Sequence, residues 1–568
     1  MNNVSFGIDL GTTNSCISLI QSNTTVPKII PLKDGNTLPS CVMLNEDGSY
    51  TIGKDAYEHR YEDSAIYSVK RFMGTDEDIL LRNGDASVIL KPEEVSSIIL
   101  KEIAIQASKY VGNDIIKDVT ITVPAHFNDA QRRATQKAGE LAGLNVINII
   151  NEPTSAGLLY GLDNAKGNET ILVYDLGGGT FDVSILRVVK NLRKFPLLDL
   201  NMNGEYNDTS ISIVANDGDI HLGGDDIDEN VLHFVTKKLG EKLGFTQKDV
   251  EEKLLGNIKM EELKLRLEKF KKSGLTLFSY TINGYESVSV ELSGKEFEEE
   301  CYRPIFNRTF EYVSRAMASA GVTQVNHIVL VGGSTKSKII QKMLKEKFPN
   351  IDIMNSFEPD LSVALGASIS SATTLGISKI ATITDVVPMS IGVLVNGQDG
   401  NKKFSKILRK DTQLPCRSIQ FYGVGDSDSN LVSINVYQGE STYDISKLHH
   451  IGTVNVPCSE KEIAIEFVCD LNGVLSCFMH SGKDIQKIDI DYSINNLKEN
   501  RDEAKDLTVD TSMLDKGQKF FYDKHIKKLV NAGVSDEEIS KMFTPLIVLT
   551  DMQTAKKNFD TLMKSVNN

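Results

Sequence analysis

The sequence predicts an α/β protein in which two similar lobes face each other across a cleft, followed by an all-β region and a short helical segment. Two hairpins carry the first part of this prediction: Phe6–Ile20 reads FGIDLGTTNSCISLI and Ile171–Leu186 reads ILVYDLGGGTFDVSIL. In each, an apolar strand ends in Asp-Leu-Gly before a turn and a second apolar strand. Asp9 and Asp175 are 166 residues apart (175 minus 9), which is too far for a small stacked repeat and fits duplicated lobes.

The second turn has the composition of an anion-binding loop. Gly177, Gly178 and Gly179 permit backbone angles and a close approach that a side chain would forbid, so main-chain amides can surround a phosphate group. Asp175 ends the preceding strand, and a carboxylate beside phosphate is tolerable mainly when a hard cation such as Mg²⁺ lies between them. For this motif alone, a glycine-rich β-turn with a chance aspartate is the alternative.

The first turn repeats this chemistry. Gly11, Thr12 and Thr13 offer amides and hydroxyls that can donate to phosphate oxygens from the opposite side of the cleft. Because two such hairpins occur in register, the sequence predicts a metal-bound nucleotide between the lobes.

Periodicity and capping signals predict the helices. From Pro92 to Val111 apolar residues recur at helical spacing, with a proline near the start, where it is tolerated. Asn128 is a capping residue after the short strand of Val119–Pro124, and Ile227–Gly244 is another long helical run. The polar stretch Asn191–Asp208 is expected to be a peripheral loop.

Three further positions are ambiguous on their own. Lys70 would ordinarily be a solvated surface charge. Glu152 ends an apolar run beside a proline and is either a third acidic group at the cleft or an exposed loop carboxylate. Ile328–Lys336, IVLVGGSTK, reads as a buried strand running into two glycines and a helix, which is a good third wall for a ligand.

Composition narrows the class of protein. A chain of 568 residues exceeds the roughly 250–300 residues at which single cores stop growing, so several domains are expected. The formal charge of −15 argues against broad affinity for nucleic acid or anionic membranes. The seven cysteines form no CxxC pair and no zinc-ligand spacing, which favours a reducing cytoplasm. No apolar stretch of about 20 residues predicts a membrane span.

The last third of the chain changes character. Pro388–Asp489 lacks helical periodicity, and segments such as VSINVYQGE and IAIEFVCDLNGVLSCFMH alternate or run apolar as β-sandwich strands do. From Ile494 onward the pattern turns helical and charged.

Six motifs, in this order and spacing, resemble the DnaK family of heat shock protein 70 chaperones: IDLGTTNS, VPAHFNDAQR, INEPTSAG, YDLGGGTFDVS, HLGGDDID and VGGSTK. The likeness runs from about Val4 to Asp489, and the shortness of the chain resembles the HscC-like bacterial branch. It implies an actin-like two-lobed ATPase domain over residues 1–376, a linker over 377–387, a β-sandwich substrate-binding domain over 388–493 and a short helical lid over 494–568.

The resemblance also implies ligands and partners. ATP or ADP with Mg²⁺ would occupy the cleft, and K⁺ is a plausible second cation near Asp182. Unfolded or extended apolar polypeptide segments would be the substrates, with a J-domain co-chaperone and a nucleotide-exchange factor as partners.

The site residues carry over from the family motifs. The metal and its waters would be surrounded by Asp9, Glu152, Asp175 and Asp182. Catalysis would depend on Lys70, which positions the attacking water, with Glu152, Asp175 and Thr180. The nucleotide would be held by Gly11, Thr12, Thr13, Asn14, Gly177, Gly178, Gly179, Thr180, Gly223, Gly224, Glu261, Lys264, Glu268, Gly332, Gly333, Ser334, Lys336 and Asp360.

Several positions depart from the family pattern. Glu268 stands where relatives have serine, and Lys336 stands where they have an arginine that stacks near adenine, which lysine cannot do in the same way. In the relay to the linker, Pro124 and Arg132 are kept, but His126 replaces the usual tyrosine. Before Asp385, the linker reads Ala-Thr-Ile-Thr in place of leucines, so weaker docking of the linker is expected.

Alignment with the family puts seven residues near the apolar peptide pocket: Val393, Val395, Tyr422, Leu431, Val432, Ile434 and Ile463. Simple core packing is the alternative for each, because alternation does not say which face of a strand is core.

Two other functions remain open from the sequence. Sugar kinases share the two-lobed core and phosphate loops, so a phosphotransferase is one alternative. A nucleotide-gated peptide-binding module with negligible turnover is the other.

Overall fold

The computed structural model divides into two compact units, Met1–Pro388 and Met389–Asn568. It describes residues 4–21, 26–112, 116–163, 167–196, 203–251, 263, 266–267, 277–280, 288–291, 293–354, 358–377, 381–396, 402–424, 431–442, 444–457, 462–481, 484–488 and 507–508. The predicted adenosine contacts Glu261, Lys264 and Glu268 lie outside these residues, as does the predicted lid apart from residues 507–508.

The first unit contains two six-stranded sheets, one per lobe, which repeat one topology. In lobe I, Val4–Asp9 pairs antiparallel with Asn14–Gln21 and parallel with Asp118–Val123. In lobe II, Asn168–Leu176 pairs antiparallel with Phe181–Pro196 and parallel with His327–Val331. The predicted hairpins and their duplication are therefore confirmed.

The remaining elements extend these two sheets, flank them or form smaller sheets. Lobe I also contains the strands Lys28–Ile29, Leu38–Pro39, Cys41–Leu44, Tyr50–Ile52, Ala65–Tyr67, Ile79–Asn83, Ala86–Leu90 and Asn145–Asn151, the helices Lys54–Glu58, Pro92–Tyr110, Asp129–Leu141 and Glu152–Asp163, and the 3₁₀ helix Val69–Phe72. Lobe II contains the strands Asn203–Asp219, Leu277–Tyr280, Val288–Glu291, Asp352–Met354 and Ala381–Thr384, the helices Gly224–Leu243, Gln247–Asp249, Gly294–Phe297, Arg303–Ser319, Lys338–Lys347 and Ser362–Thr374, the π-helical turn Glu298–Tyr302 and the 3₁₀ helix Gly333–Lys336.

The predicted helices begin and end close to the capping residues and the proline that predict them. The helix Pro92–Tyr110 begins with its proline in the first turn. The Asn128 side chain accepts a hydrogen bond from the Gln131 amide at 2.9 Å, which caps the helix Asp129–Leu141. Gly244 ends the helix Gly224–Leu243 with a φ of 73°, a left-handed conformation that glycine adopts without steric cost.

The expectation of a peripheral loop at Asn191–Asp208 is wrong. The strands Phe181–Pro196 and Asn203–Asp219 extend through most of this stretch as one long antiparallel hairpin. Backbone pairing holds such a hairpin whatever its side chains, so polar composition did not reveal it.

The helix Ser362–Thr374 packs tightly against the lobe I sheet. Ser5 Oγ donates to the Ser368 carbonyl at 3.1 Å, and Ser18 Oγ donates to the Ala364 carbonyl at 2.6 Å. A Cβ atom on Gly7 would overlap the backbone of Ser368, so glycine permits this close approach.

Residues of the predicted linker extend the lobe II sheet. Ala381–Thr384 forms an edge strand that pairs in parallel with Thr209, Ser210, Ile211 and Ser212. Main-chain hydrogen bonds therefore dock this segment on the first unit in the structure.

The described residues of the second unit form mainly strands, as predicted. These are Ile391–Asn396, Lys402–Leu408, Cys416–Val424, Leu431–Gln438, His449–Pro457, Glu462–Cys469, Leu475–Ser481, Asp484–Ile488 and Leu507–Thr508, with the 3₁₀ helix Ile445–Lys447. Leu507–Thr508 pairs with Ile391–Asn396 and with Cys416–Val424, which joins two groups of strands. For these two residues the structure has a strand, whereas the sequence predicted that they belong to a helical segment.

None of the helices in the described part of the chain has the length and apolar character that crossing a bilayer requires.

Candidate active site

A cavity of about 840 Å³ opens in the first unit where the two hairpin turns meet. Most of the residues predicted to hold nucleotide or metal line it: Asp9, Gly11, Thr12, Thr13, Asn14, Lys70, Glu152, Asp175, Gly177, Gly178, Thr180, Gly224, Gly332, Gly333, Ser334, Lys336 and Asp360. Sequence positions that are hundreds of residues apart thus converge on one site.

The glycine turn of lobe II is shaped by close contacts. None of Gly177, Gly178 and Gly179 has a positive φ, so the expectation that they supply special backbone angles is wrong. The predicted close approach is confirmed, because a Cβ atom on Gly178 would overlap the Thr13 hydroxyl and one on Gly179 would overlap Thr12 and Arg71. Glycine is needed here for the approach of the two lobes.

The start of the helix Gly224–Leu243 and the third wall, Ile328–Lys336, are both tied to the same turn. The Gly224 amide donates to the Gly177 carbonyl at 3.0 Å, and the Asp225 amide donates to the Gly178 carbonyl at 2.7 Å. Ser334 Oγ also donates to the Gly177 carbonyl, at 2.8 Å. These bonds fix the turn in place. Gly223 does not line the cavity, but it allows the helix start to pack closely against the turn, because a Cβ atom on Gly223 would overlap Gly178.

Two threonine hydroxyls fit a phosphate ligand. Thr13 Oγ1 is buried and makes no hydrogen bond to any residue that the structure describes, yet Thr13 lines the cavity. Thr180, 7% exposed, lines it from the other lobe. A buried polar group without a partner is costly, and a phosphate oxygen would accept its hydrogen bond.

Acidic side chains and one lysine form the floor of the cavity. Lys70, only 4% exposed, makes an ion pair with Glu152, which rules out the alternatives of a solvated lysine and an exposed loop carboxylate. Burial, followed by the charge of Glu152, raises the pKa of Asp9 to about 7. The same two causes raise the pKa of Asp175 well above its ordinary value. One ammonium group therefore faces three carboxyl groups.

The carboxyl groups fit a hydrated hard cation. Among the described residues, no three His, Cys, Asp or Glu side chains are arranged to ligate one metal ion directly. Mg²⁺ usually keeps several waters and takes only one or two carboxylates together with phosphate oxygens, so Asp9, Glu152 and Asp175 are suited to hold its water shell.

Asp182 is buried behind the cavity rather than in its lining. Its Oδ1 accepts a hydrogen bond from the His126 amide at 3.1 Å. Burial, followed by the charge of Glu152, raises the pKa of Asp182 to about 8. K⁺ binding near Asp182 stays a prediction.

The adenosine side of the cavity differs in part from the sequence expectation. Lys336 makes an ion pair with Asp360, so both predicted residues are present but the lysine is held by a carboxylate. Phe297, Tyr302 and Ile339, which sequence reasoning missed, also line the cavity. The rings of Phe297 and Tyr302 lie 5.5 Å apart between centroids, and they give this end of the cavity an apolar surface suited to a base.

Arg71 was also missed, although it follows Lys70 directly. It reaches from lobe I to the start of the lobe II helix Gly224–Leu243, where its Nη2 lies 3.6 Å from Asp225 Oδ2 and 3.4 Å from Asp226 Oδ2. Ser68 Oγ donates to the same Asp225 oxygen at 3.3 Å. This contact closes the cleft beside the Gly179 turn.

Two of the predicted coupling residues, Arg132 and Asp385, contact Asn151, which sequence reasoning missed. Asn151 Nδ2 donates to both oxygens of Asp385, at 2.7 and 2.6 Å, and Asn151 Oδ1 accepts from Arg132 Nη2 at 2.5 Å. Arg132 also donates to the carbonyls of Phe127 and Ala125, in the segment that follows Pro124. Asn151 directly precedes Glu152 in the chain. The residue that binds the linker carboxylate is therefore the sequence neighbour of a residue in the acidic floor.

The predicted peptide-pocket residues lie in the second unit. The side chains described there are at most 1% exposed: Val393, Val395, Tyr422, Val432, Ile434 and Ile463. The Leu431 side chain lies outside the described residues. In this structure the six side chains are buried as core residues, the alternative stated above, and their contact with peptide stays a prediction.

A family model described as Hsp70 protein matches residues 5–546 of the chain. The match spans both units and every motif that lines the cavity.

Proposed function

Because the chain belongs to the Hsp70 family, we propose that ATP binding and hydrolysis in the first unit switch the affinity of the second unit for exposed apolar segments of unfolded proteins. The family comprises ATP-binding chaperones with an actin-like ATPase domain and a β substrate-binding domain, so the chain is a chaperone of this type. Membership of the short HscC-like bacterial branch stays a prediction.

The buried Lys70–Glu152 pair is the observation that carries the proposed hydrolysis. A buried ammonium group that is held in place can orient a water molecule for in-line attack on a terminal phosphate. Thr13 and Thr180 would donate to the phosphate oxygens, and the turn at Gly177–Gly179 would hold the phosphates close. Mg²⁺, when bound, neutralises part of the phosphate charge.

The contact between Asp385 and Asn151 supports the proposed switch. Asn151 joins the linker carboxylate to Arg132 and lies next to Glu152 in the chain. A change in the position of Glu152 on hydrolysis would therefore reach the linker through one residue. The domain limits given above, with a helical lid over residues 494–568, are part of this proposal.

The family binds unfolded polypeptides and co-chaperones in general. For this chain we propose a J-domain co-chaperone, which would stimulate hydrolysis, and a nucleotide-exchange factor, which would open the cleft. A cytoplasmic location, expected from the cysteine usage, is part of the same proposal.

A single-turnover assay with γ-labelled ATP tests the proposed reaction. We expect free phosphate to be released, and more quickly when an apolar peptide is present. Transfer of the label to an acceptor hydroxyl would instead indicate a phosphotransferase, and bound ATP that stays intact would indicate a nucleotide-gated binding module. Either of these two outcomes would contradict the proposal.

We expect the substitution Thr180→Val to leave ATP bound but to weaken the ATP-driven conformational change. Valine keeps the shape of threonine and removes a hydroxyl whose bond to a charged phosphate is worth about 1.5–3 kcal/mol, which corresponds to about a tenfold or larger shift in the conformational equilibrium. Limited trypsin digestion with and without ATP measures the change. Thr135→Val is the control, because Thr135 is equally buried and bonds only within its helix. A wild-type digestion pattern in Thr180→Val would count against this role.

The substitution Arg71→Met should speed nucleotide release by about 1.4- to fivefold. The ion pairs of Arg71 with Asp225 and Asp226 hold the lobes together. Partly exposed ion pairs of this kind contribute about 0.2–1 kcal/mol of interaction free energy. Stopped-flow release of a fluorescent ADP analogue measures the rate. Lys91→Met is the control, since Lys91 pairs with Asp78 within lobe I at 2.8 Å. Release at the same rate in Arg71→Met and wild type would show that the contact does not restrain the cleft.

A further inference from the structure

Two cysteines in the second unit lie directly opposite each other. Cys416 begins the strand Cys416–Val424, Cys469 ends the strand Glu462–Cys469, and the two residues are partners in the antiparallel register. Directly opposed residues in such a pair have Cα atoms about 4.5–5.5 Å apart, which falls within the range of roughly 4.4–6.8 Å that a disulfide spans. Both are free thiols in the structure.

The two side chains lie on the same face of the sheet, because directly opposed residues of an antiparallel pair share a face. Hydrogen bonding from the side chain and the backbone of Cys469 favours the thiolate of Cys416 and lowers its pKa below the ordinary value, although burial opposes the shift. The thiolate is the form of cysteine that reacts with electrophiles.

The other described cysteines are in unreactive surroundings. Burial raises the pKa of Cys41, Cys301 and Cys477 to about 12 in each case, and it raises the pKa of Cys16 well above the ordinary value. Of the cysteines that the structure describes, Cys416 alone is partly exposed. Accessibility and a neighbouring thiol therefore coincide at one position.

We propose that Cys416 and Cys469 form an oxidation site that takes hydroperoxides and converts to a reversible intramolecular disulfide. The Cys416 thiolate attacks one peroxide oxygen and the O–O bond breaks, which leaves Cys416 as a sulfenic acid while the departing hydroxide takes a proton and becomes water. Cys469 then loses its thiol proton and attacks the Cys416 sulfur, and the sulfenic hydroxyl leaves with that proton as a second water. Two thiols are oxidised by two electrons, and one hydrogen peroxide is reduced to two waters.

The disulfide would join two strands that each carry a residue of the predicted peptide pocket. Tyr422 and Ile463, both predicted near the peptide pocket, are partners in the same strand pair. A covalent bond at one end of the pair would resist its separation, so oxidation should move the unfolding of the second unit to higher denaturant concentration.

Peptide mapping of the full chain tests the proposal. The reduced protein is treated with hydrogen peroxide, its remaining thiols are alkylated, and it is digested with trypsin without reduction. Cys416 lies in the tryptic peptide DTQLPCR, and Cys469 lies with Cys477 in EIAIEFVCDLNGVLSCFMHSGK. We expect these two peptides to become linked, with Cys477 alkylated and with a mass about 2 Da below the sum of the two peptides that have thiols at Cys416 and Cys469 and an alkylated Cys477. The linked peptides should separate again after dithiothreitol.

Three variants identify the partners. Cys477→Ala should keep the linked species, whereas Cys469→Ala and Cys416→Ser should lose it. Cys416→Ser changes a partly exposed side chain, so its fold can be compared with the wild type by circular dichroism. The proposal is overturned if Cys16, Cys41 or Cys301 is modified before Cys416, if Cys477→Ala removes the link, or if Cys416 proceeds to sulfinic acid without a link.

Discussion

Replacing Lys70 with alanine is expected to leave ATP bound and to slow its hydrolysis by about a hundredfold or more. Lys70 is buried in the floor of the cavity and held by Glu152, so its charge is fixed in place before substrate arrives. Loss of one preorganised donor of this kind typically costs about 10²–10³ in rate. Labelled ATP in a single-turnover assay measures the rate, and equilibrium binding of a fluorescent ATP analogue measures the affinity.

Two comparisons separate catalysis from folding for this variant. Removing Lys70 leaves the carboxylate of Glu152 buried without its partner, which also destabilises the protein, so thermal unfolding is measured alongside. The double variant Lys70→Ala, Glu152→Gln removes the unpaired charge and should recover stability without recovering hydrolysis. Lys91→Ala controls for loss of an exposed lysine in the same lobe. Hydrolysis at the wild-type rate in a folded Lys70→Ala protein would refute the assignment.

The phosphate side of the site could be predicted because its signals are local. A strand, a glycine turn and an aspartate occupy consecutive positions, and the duplication of this pattern predicts that Asp9 and Asp175 face one cleft, which both residues line. The adenosine side could not be predicted in the same way. Phe297 and Tyr302 lie in a helical segment whose apolar residues read as ordinary core, and nothing local shows that they reach the cavity.

Contacts between the lobes were the hardest to foresee. Arg71 and Asp225 are 154 residues apart (225 minus 71), and charged residues are normally solvated, so no pattern connects them. The Asn191–Asp208 hairpin was missed for a related reason, because polar side chains hid a strand pair that is held by backbone hydrogen bonds.

The linker shows the same limit most clearly. The absence of leucine side chains from this linker predicts weak docking. In the structure Ala381–Thr384 pairs through its backbone with the lobe II sheet, and Asp385 is fixed by Asn151, by Thr154 and by its bond from the Val386 amide at 2.8 Å. Whether docking is weaker than in leucine-linker relatives stays a prediction, but the polar contacts identify which residue to test.

The substitution Asp385→Ala should reduce the stimulation of hydrolysis by peptide about tenfold or more and leave the basal rate unchanged. The carboxylate accepts two hydrogen bonds from Asn151 and lies near the charge of Arg132. Hydrogen bonds to a charged group are worth about 1.5–3 kcal/mol, so their loss shifts the docking equilibrium by about ten- to a hundredfold. Phosphate release with and without an apolar peptide measures the effect.

A double-mutant cycle shows whether Asp385 acts through Asn151. If the two residues form one connection, Asp385→Ala and Asn151→Ala should each reduce peptide stimulation, and the double variant should be no worse than the more severe single variant. Asp118→Ala is the matched control, because Asp118 accepts a similar bond from Asn145 at 2.7 Å but is exposed and far from the linker in the chain. Additive losses in the cycle would mean that Asp385 signals by another route. Full stimulation in Asp385→Ala would mean that the backbone pairing of Ala381–Thr384 alone couples the linker to the ATPase site.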